Sequence, residues 1–320
     1  MTSMPAPTSR VDLLLAEWLP SLEKALERLL PRQVTQALIE FLVFGIKQAW
    51  ACLFGGLLLA GIMLTGLFWP SDSAMSRYDF LVVYALGIQA VFLITRLERP
   101  SEAVVILIFH IVGTAMEVFK TQAGSWTYPE TSLLRIGDVP LFSGFMYAAV
   151  GSYLARVARV FEFEWTAYPR RSFTLLLACL IYINFFSHHY VIDVRWGLFG
   201  LTALLFWPTQ VHYRVWRWRH KMPLLVGFFL VSLFIWLAEN ISTLARIWVY
   251  PNQETGWHMV SFQKLGAWYL LMIISWVLVT LVHAPRLRSD SVRDHQPPTP
   301  PPPPPPPETP PPPRPEEPEL

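Results

Sequence analysis

Two glutamates in this sequence are followed, at the same distance, by the same aromatic pattern. Glu117 opens "EVFKTQAGSWTYP" and Glu239 opens "ENISTLARIWVYP"; both read E-x8-W-x-Y-P. A carboxylate backed by Trp and Tyr can exchange a proton while the aromatic faces stabilise a neighbouring cation. His110 stands seven residues before Glu117, two helical turns deeper on roughly the same face. From there it can orient or re-protonate an acid. "NFFSHHY" adds Asn184, His188 and His189. The candidate acid–base residues are therefore Glu239, Glu117, His110 and His188. Trp126, Tyr128, Trp248, Tyr250, Asn184, His189 and Lys120 are the candidate substrate-binding residues.

Each residue also has a plainer reading. Glu117 and Lys120 are i,i+3 neighbours and can neutralise one another at a helix end, which would keep Glu117 ionised. Position 242 is Ser, so Glu239 must find Arg246, another loop or a proton. His110 can equally be a hydrogen-bonded residue between helices. Adjacent helical residues point about 100° apart, so His188 and His189 do not chelate one ion from a regular helix. No metal site and no cofactor are expected. Walker, Gly-rich phosphate and Ser-His-Asp patterns are missing from the sequence. Cys52 and Cys179 fall in apolar runs and read as buried small hydrophobes.

The elements that must position these groups are membrane helices. Hydrophobic residues make up 53% of the 320 and charged ones 15%, against about 25% charge in a soluble domain. Ala49 to Trp69 holds no ionisable group, long enough to cross a hydrocarbon core of about 30 Å. Further spans read as Phe80–Thr95, Ala103–Phe119, Val139–Ala155, Ser172–Ser187, Trp196–Tyr213, Met222–Ala238 and Leu265–Ala284. The expectation is an all-α, polytopic membrane helix bundle of about eight transmembrane helices. The sixth span is interrupted by Pro208 and His212.

One glutamate closes span three and the other closes span seven, while Ser143 and Ser261 open spans four and eight. The simplest account is two parallel four-helix repeats, about 38–160 and 170–285, within a transmembrane domain of 38–285. Thirteen Lys and Arg flank the spans on the side of the N-terminus, against six on the other (Arg77, Lys120, Arg135, Arg195, Arg246, Lys264). The positive-inside rule then puts both termini in the cytoplasm and the Glu-bearing loops outside. The net charge of +2 reports topology, and no nucleic-acid partner is expected.

Residues 1–37 read as a cytoplasmic amphipathic segment whose helix breaks near Pro20. It either lies on the inner membrane surface or packs beneath the bundle. Residues 286–320 read as a disordered Pro-rich cytoplasmic tail, with 16 Pro in the 24 residues from Pro297.

"EVFKTQAGSWTYPE", "VPLFSGFMYAAVGSY", "NFFSHHY" and "KLGAWYLLMIISWVLV" together resemble a bacterial integral-membrane family known as domain of unknown function number 817. The resemblance covers about residues 38 to 285. It implies a multi-pass protein of the bacterial inner membrane and brings no activity with it. Within His110 to Tyr128, G-x3-E-x2-K-x3-G-x-W-x-Y is similar to a pattern of membrane carotenoid hydratases and small-subunit lycopene cyclases, with Lys120 and Trp126 replacing a Gly and a Tyr. Those proteins act on a polyene with membrane-embedded carboxylates and no redox cofactor.

Three functions follow. The first is a cofactor-independent acid–base enzyme on a lipid or isoprenoid at the outer half of the membrane. The second is a proton-coupled small-solute carrier with two symmetric Glu sites. The third is a structural or sensory membrane protein. A carrier needs polar residues along both halves of its path, and the inner halves of these spans are poor in ionisable groups. Besides the bilayer itself, the expected partner is a lipid or isoprenoid substrate.

Overall fold

The computed structural model describes residues 9–70 and 72–288; the Pro-rich tail from residue 289 lies outside them. The described chain is mostly helical, with short strands at the two ends of the bundle. Its helices are α1 Arg10–Glu27, α2 Arg32–Ala51, α3 Leu53–Phe68, α4 Arg77–Ile94, α5 Pro100–Gln122, α6 Phe142–Val160, α7 Arg171–Ser187, α8 Arg195–Phe206, α9 Leu224–Leu244 and α10 Phe262–Val282. The eight expected spans fall in order on α3 to α10. Four helices (α4, α5, α9 and α10) are long and apolar enough to cross a membrane alone, and α2 with α3 makes a fifth, bent by 69° at Cys52.

The sixth span needs correction. α8 has only 12 residues and covers about 18 Å. Beyond Pro208 the chain becomes a strand, β4 Gln210–Arg214, in an antiparallel sheet with β3 Glu164–Thr166 and β5 Arg219–Pro223. Proline stops the helix, and His212 and Arg214 then sit in a polar sheet rather than in lipid.

α1 is also unlike the expectation. It runs unbroken through Pro20, because Val11, Leu15 and Leu19 form one buried face that packs on Ile39 and Val43 of α2 and on Val157 and Phe161. The Lys47 ammonium pairs with Asp12 at 2.8 Å and donates to the Val215 carbonyl at 2.6 Å, both groups buried. α2 itself runs across residue 38. Burial opposes ionisation of Asp12, but the Lys47 and Ser9 hydrogen bonds win and hold its carboxyl below the usual range.

α3 packs on α4 and α6, and α5 on α6; α7 packs on α8 and α10, and α9 on α10. The closest approach is α5 against α6, and glycine permits it. A methyl carbon added to Gly113 would lie 2.6 Å from the Tyr147 ring, and one on Gly144 would lie 2.4 Å from His110 Nδ1. Cys52 and Cys179 are exposed, not buried. A helix in an apolar run turns half its residues outward, so an apolar neighbourhood in sequence does not imply burial.

Candidate functional site

α5 and α9 end with one and the same turn. Ala123 and Ala245 are the C-caps, followed by Gly124 at φ +69° and Arg246 at φ +52°. Ser125 N–H returns to the Lys120 carbonyl at 2.9 Å, and Ile247 N–H to that of Ser242 at 3.1 Å. This Schellman cap sends both chains back over their helix ends. The loops then pair: Thr127 and Val249, the central residues of the two W-x-Y patterns, exchange N–H···O bonds of 3.0 Å in both directions. Trp126 meets Tyr250 edge-on at 6.0 Å. Arg77 ties the arrangement to α4, donating to Glu130 at 2.7 Å and to the Ala245 carbonyl at 3.0 Å.

Both carboxylates turn inward beneath this bridge, 3% exposed at Glu117 and 4% at Glu239. Glu117 Oε2 accepts from Trp126 Nε1 at 2.8 Å and from the Tyr128 hydroxyl at 2.7 Å, and its Oε1 accepts from the Tyr147 hydroxyl at 2.8 Å. Glu239 Oε2 accepts from Trp268 Nε1 at 2.7 Å, and its Oε1 faces the Tyr250 hydroxyl in a short hydrogen bond. Indole N–H only donates, so Oε2 of each Glu is an acceptor. Oε1 of each acid faces a tyrosine hydroxyl, that of Tyr147 at Glu117 and that of Tyr250 at Glu239. Burial, with the neighbouring carboxylate, pushes the Tyr128 and Tyr250 hydroxyls well above the usual range, so both stay protonated.

The two acids close one end of a single cavity of about 760 Å³. Its wall is apolar along most of its length, with Leu58, Met146, Val150, Val231 and Met272, and it reaches Trp165, Val211 and Tyr213 at the far end. On α9 it extends from Leu224 to Ser242, about 27 Å of helix. Gly56 of α3 and Leu230 and Phe234 of α9 line it and are also exposed, so it opens sideways between these helices. The far end is floored by the three-stranded sheet, whose hairpin turn gives the backbone N–H groups of Trp216, Arg217 and Trp218 to the Glu40 carboxylate.

The other expected residues lie apart from the acids. Lys120 does not pair with Glu117. Its Nζ lies 2.8 Å from His189 Nε2 and 4.2 Å from the centre of the Phe185 ring. The carboxylate already accepts three aromatic donors, and α7 leads to the lysine's partner. Asn184 binds Asp193 and the Val194 N–H, and His188 lies against the Asn184 carbonyl. No hydrogen bond joins Asn184, His188 or His189 to either Glu among the described residues. His110 turns to Phe145 on α6, ring centres 4.4 Å apart, and its Nδ1 is buried without a hydrogen bond. Among the described residues no group of three or more His, Cys, Asp or Glu could hold a metal. Trp248 lines the cavity with Trp126.

Tyr147, Trp268 and Lys264 are functional candidates that the sequence reading missed. Tyr147 follows Glu117 by 30 residues and Trp268 follows Glu239 by 29. Extending the repeat at its own offset through the next helix sets Tyr147 against Tyr269, one residue from Trp268.

Against known proteins, the family model described as "Protein of unknown function (DUF817)" matches residues 40–276. A relative from Bacillus subtilis (strain 168), "Uncharacterized protein YoaT", is 41% identical over 244 residues, covering 76% of this chain and 92% of the relative. No solved structure matches. The chain belongs to the DUF817 family.

Proposed function

We propose that this member of the DUF817 family acts on a long-chain lipid or isoprenoid by acid–base chemistry that needs no cofactor. The apolar chain lies in the cavity and the reacting group lies beside Glu117 and Glu239. The observation that carries this reading is the meeting of two buried carboxylates at one end of a laterally open, otherwise apolar cavity. A sideways opening suits a ligand that arrives from the bilayer, and about 27 Å of apolar wall suits a long chain.

Glu239 is the proton-transfer residue of this reading. Its Oε1 and the Tyr250 hydroxyl form a pair through which a proton can pass, and Trp126, Trp248 and Trp268 present aromatic surface to a developing cation. Glu117, Tyr128 and Tyr147 fix the other wall. The similarity of the Glu117 stretch to polyene-hydrating enzymes favours the same chemistry. His110 and His188 play no part in the transfer, since neither approaches a carboxylate.

The reading includes an inner-membrane location with both termini cytoplasmic, supported by the asymmetry of Lys and Arg. It includes two parallel repeats, supported by the matched caps and paired loops. A carrier is favoured less. The far end of the cavity is walled by Phe161, Trp165 and Tyr213.

The test compares lipid extracts of a deletion strain carrying the parent gene, the Glu239→Gln variant or an empty vector. The amide keeps the shape of the acid and cannot cycle a proton. The expected result is that Glu239→Gln accumulates to normal levels and leaves the empty-vector lipid profile. Full restoration of the parent profile by this variant would sink the acid–base reading.

A further inference from the structure

Lys120 is an ammonium buried to 4% exposure that makes no ion pair among the described residues. Buried charges are normally compensated, and its contacts are a neutral acceptor, His189 Nε2, and the Phe185 ring. Partial burial and the Lys120 ammonium hold the His189 imidazole below its usual range, so it serves as that acceptor. Lys264 stands within electrostatic reach of Lys120, and it too lacks an ion pair among the described residues. It lies over Tyr250 at 4.3 Å and over Trp126 at 5.2 Å from the ring centres. Arg195 joins the same field, although Asp193 holds it at 2.6 Å.

The opposing charges are accounted for. Asp193 is committed to Arg195, Asn184 and a backbone N–H. Glu239 and Glu117 attract Lys264 without touching it, and each already accepts hydrogen bonds from Trp and Tyr donors. His189 is exposed, Lys264 is half-buried, and neither lysine lines the apolar cavity. The cluster is therefore reached from outside the bundle rather than through the cavity.

We propose that Lys120, Lys264 and the exposed edge of His189 form an anion site of the phosphate class at the end of the bundle that carries the W-x-Y-P loops. An ammonium has three donors, and Lys120 spends one on His189. A tetrahedral oxyanion bridging the two lysines would supply the missing negative charge without competing for either glutamate. Inorganic phosphate and the phosphate of an anionic lipid headgroup share this chemistry. The site does not depend on the acid–base reading, because it uses neither glutamate and lies outside the cavity.

The experiment measures thermal unfolding of the purified full-length chain at constant ionic strength. One arm titrates inorganic phosphate in detergent; the other uses nanodiscs of phosphatidylglycerol against phosphatidylcholine. The expected result is a saturable rise in Tm in at least one arm, with apparent affinity weakened about tenfold or more in both Lys120→Met and Lys264→Gln. In anion-free buffer Lys120→Met should unfold no lower than the parent, because it removes an uncompensated buried charge. A response to phosphate identifies a soluble oxyanion, and a response to phosphatidylglycerol alone identifies the headgroup. Stabilisation in neither arm, or equal stabilisation of parent and both variants, would overturn the proposal. Glu239-dependent activity retained by Lys120→Met alongside a lost anion response would leave the two proposals separate.

Discussion

Glu117 and Glu239 end matched helices, sit beneath paired loops and face one cavity, yet they are held differently. Glu117 has three donors, two from its own loop and one from α6. Glu239 has two, one from its loop and one from α10. The cause lies one helical turn earlier. α5 carries Gly113 at that position, and only a missing side chain lets the Tyr147 ring come so near the backbone. α9 carries Ile235 there, and the acid is reached by the longer indole of Trp268. One motif thus builds a three-donor clamp at Glu117 and a two-donor site with more spare acceptor capacity at Glu239. A stability role suits the first, and a proton-transfer role suits the second.

The largest test of this contrast is removal of each acid. Glu117→Ala strands three buried donors and should cost about 3 kcal/mol or more, at roughly 1–3 kcal/mol for each unsatisfied group. Glu239→Ala strands two and should cost distinctly less. Chemical unfolding in mild detergent reads both, and equal losses would break the comparison.

A second contrast sets Lys47, buried with a carboxylate, against Lys120, buried without one. Asp12→Asn leaves the Lys47 charge uncompensated and should cost about 3 kcal/mol. Asp12 has a depressed folded pKa, so its stabilisation is full above the unfolded value of 3.8 and fades as pH falls through the lower folded value. The parent should therefore lose stability below about pH 4, and Asp12→Asn should show a flatter profile there. Parallel profiles for the two proteins would remove Asp12 from the account.

The smallest effect is expected at Gly113. Gly113→Ala pushes the Tyr147 ring away from Glu117 and should cost about 1–3 kcal/mol. Combining it with Tyr147→Phe should then add little, because both changes break one hydrogen bond. Full additivity of the two would show that Gly113 does not position Tyr147.

The sequence by itself determined the class, the family and the placing of the acids. Apolar runs and scarce charge mark membrane helices, because hydrocarbon selects composition over whole segments. The E-x8-W-x-Y-P repetition marks the two acids, because a loop that folds back on its own helix end is encoded locally. Gly124 announces one of the two caps openly; Arg246 hides the other, since a left-handed arginine has no sequence signature. Only the tertiary structure decided what the acids touch. Tyr147 and Trp268 lie about 30 residues away on the next helix, and their reach depends on how closely two helices pack. Lys120 shows the limit most plainly. Three positions from Glu117 on the same helix, it nonetheless binds His189 just past α7, while aromatic donors surround its neighbour. Spacing along a helix says which groups can meet, and packing between helices says which do.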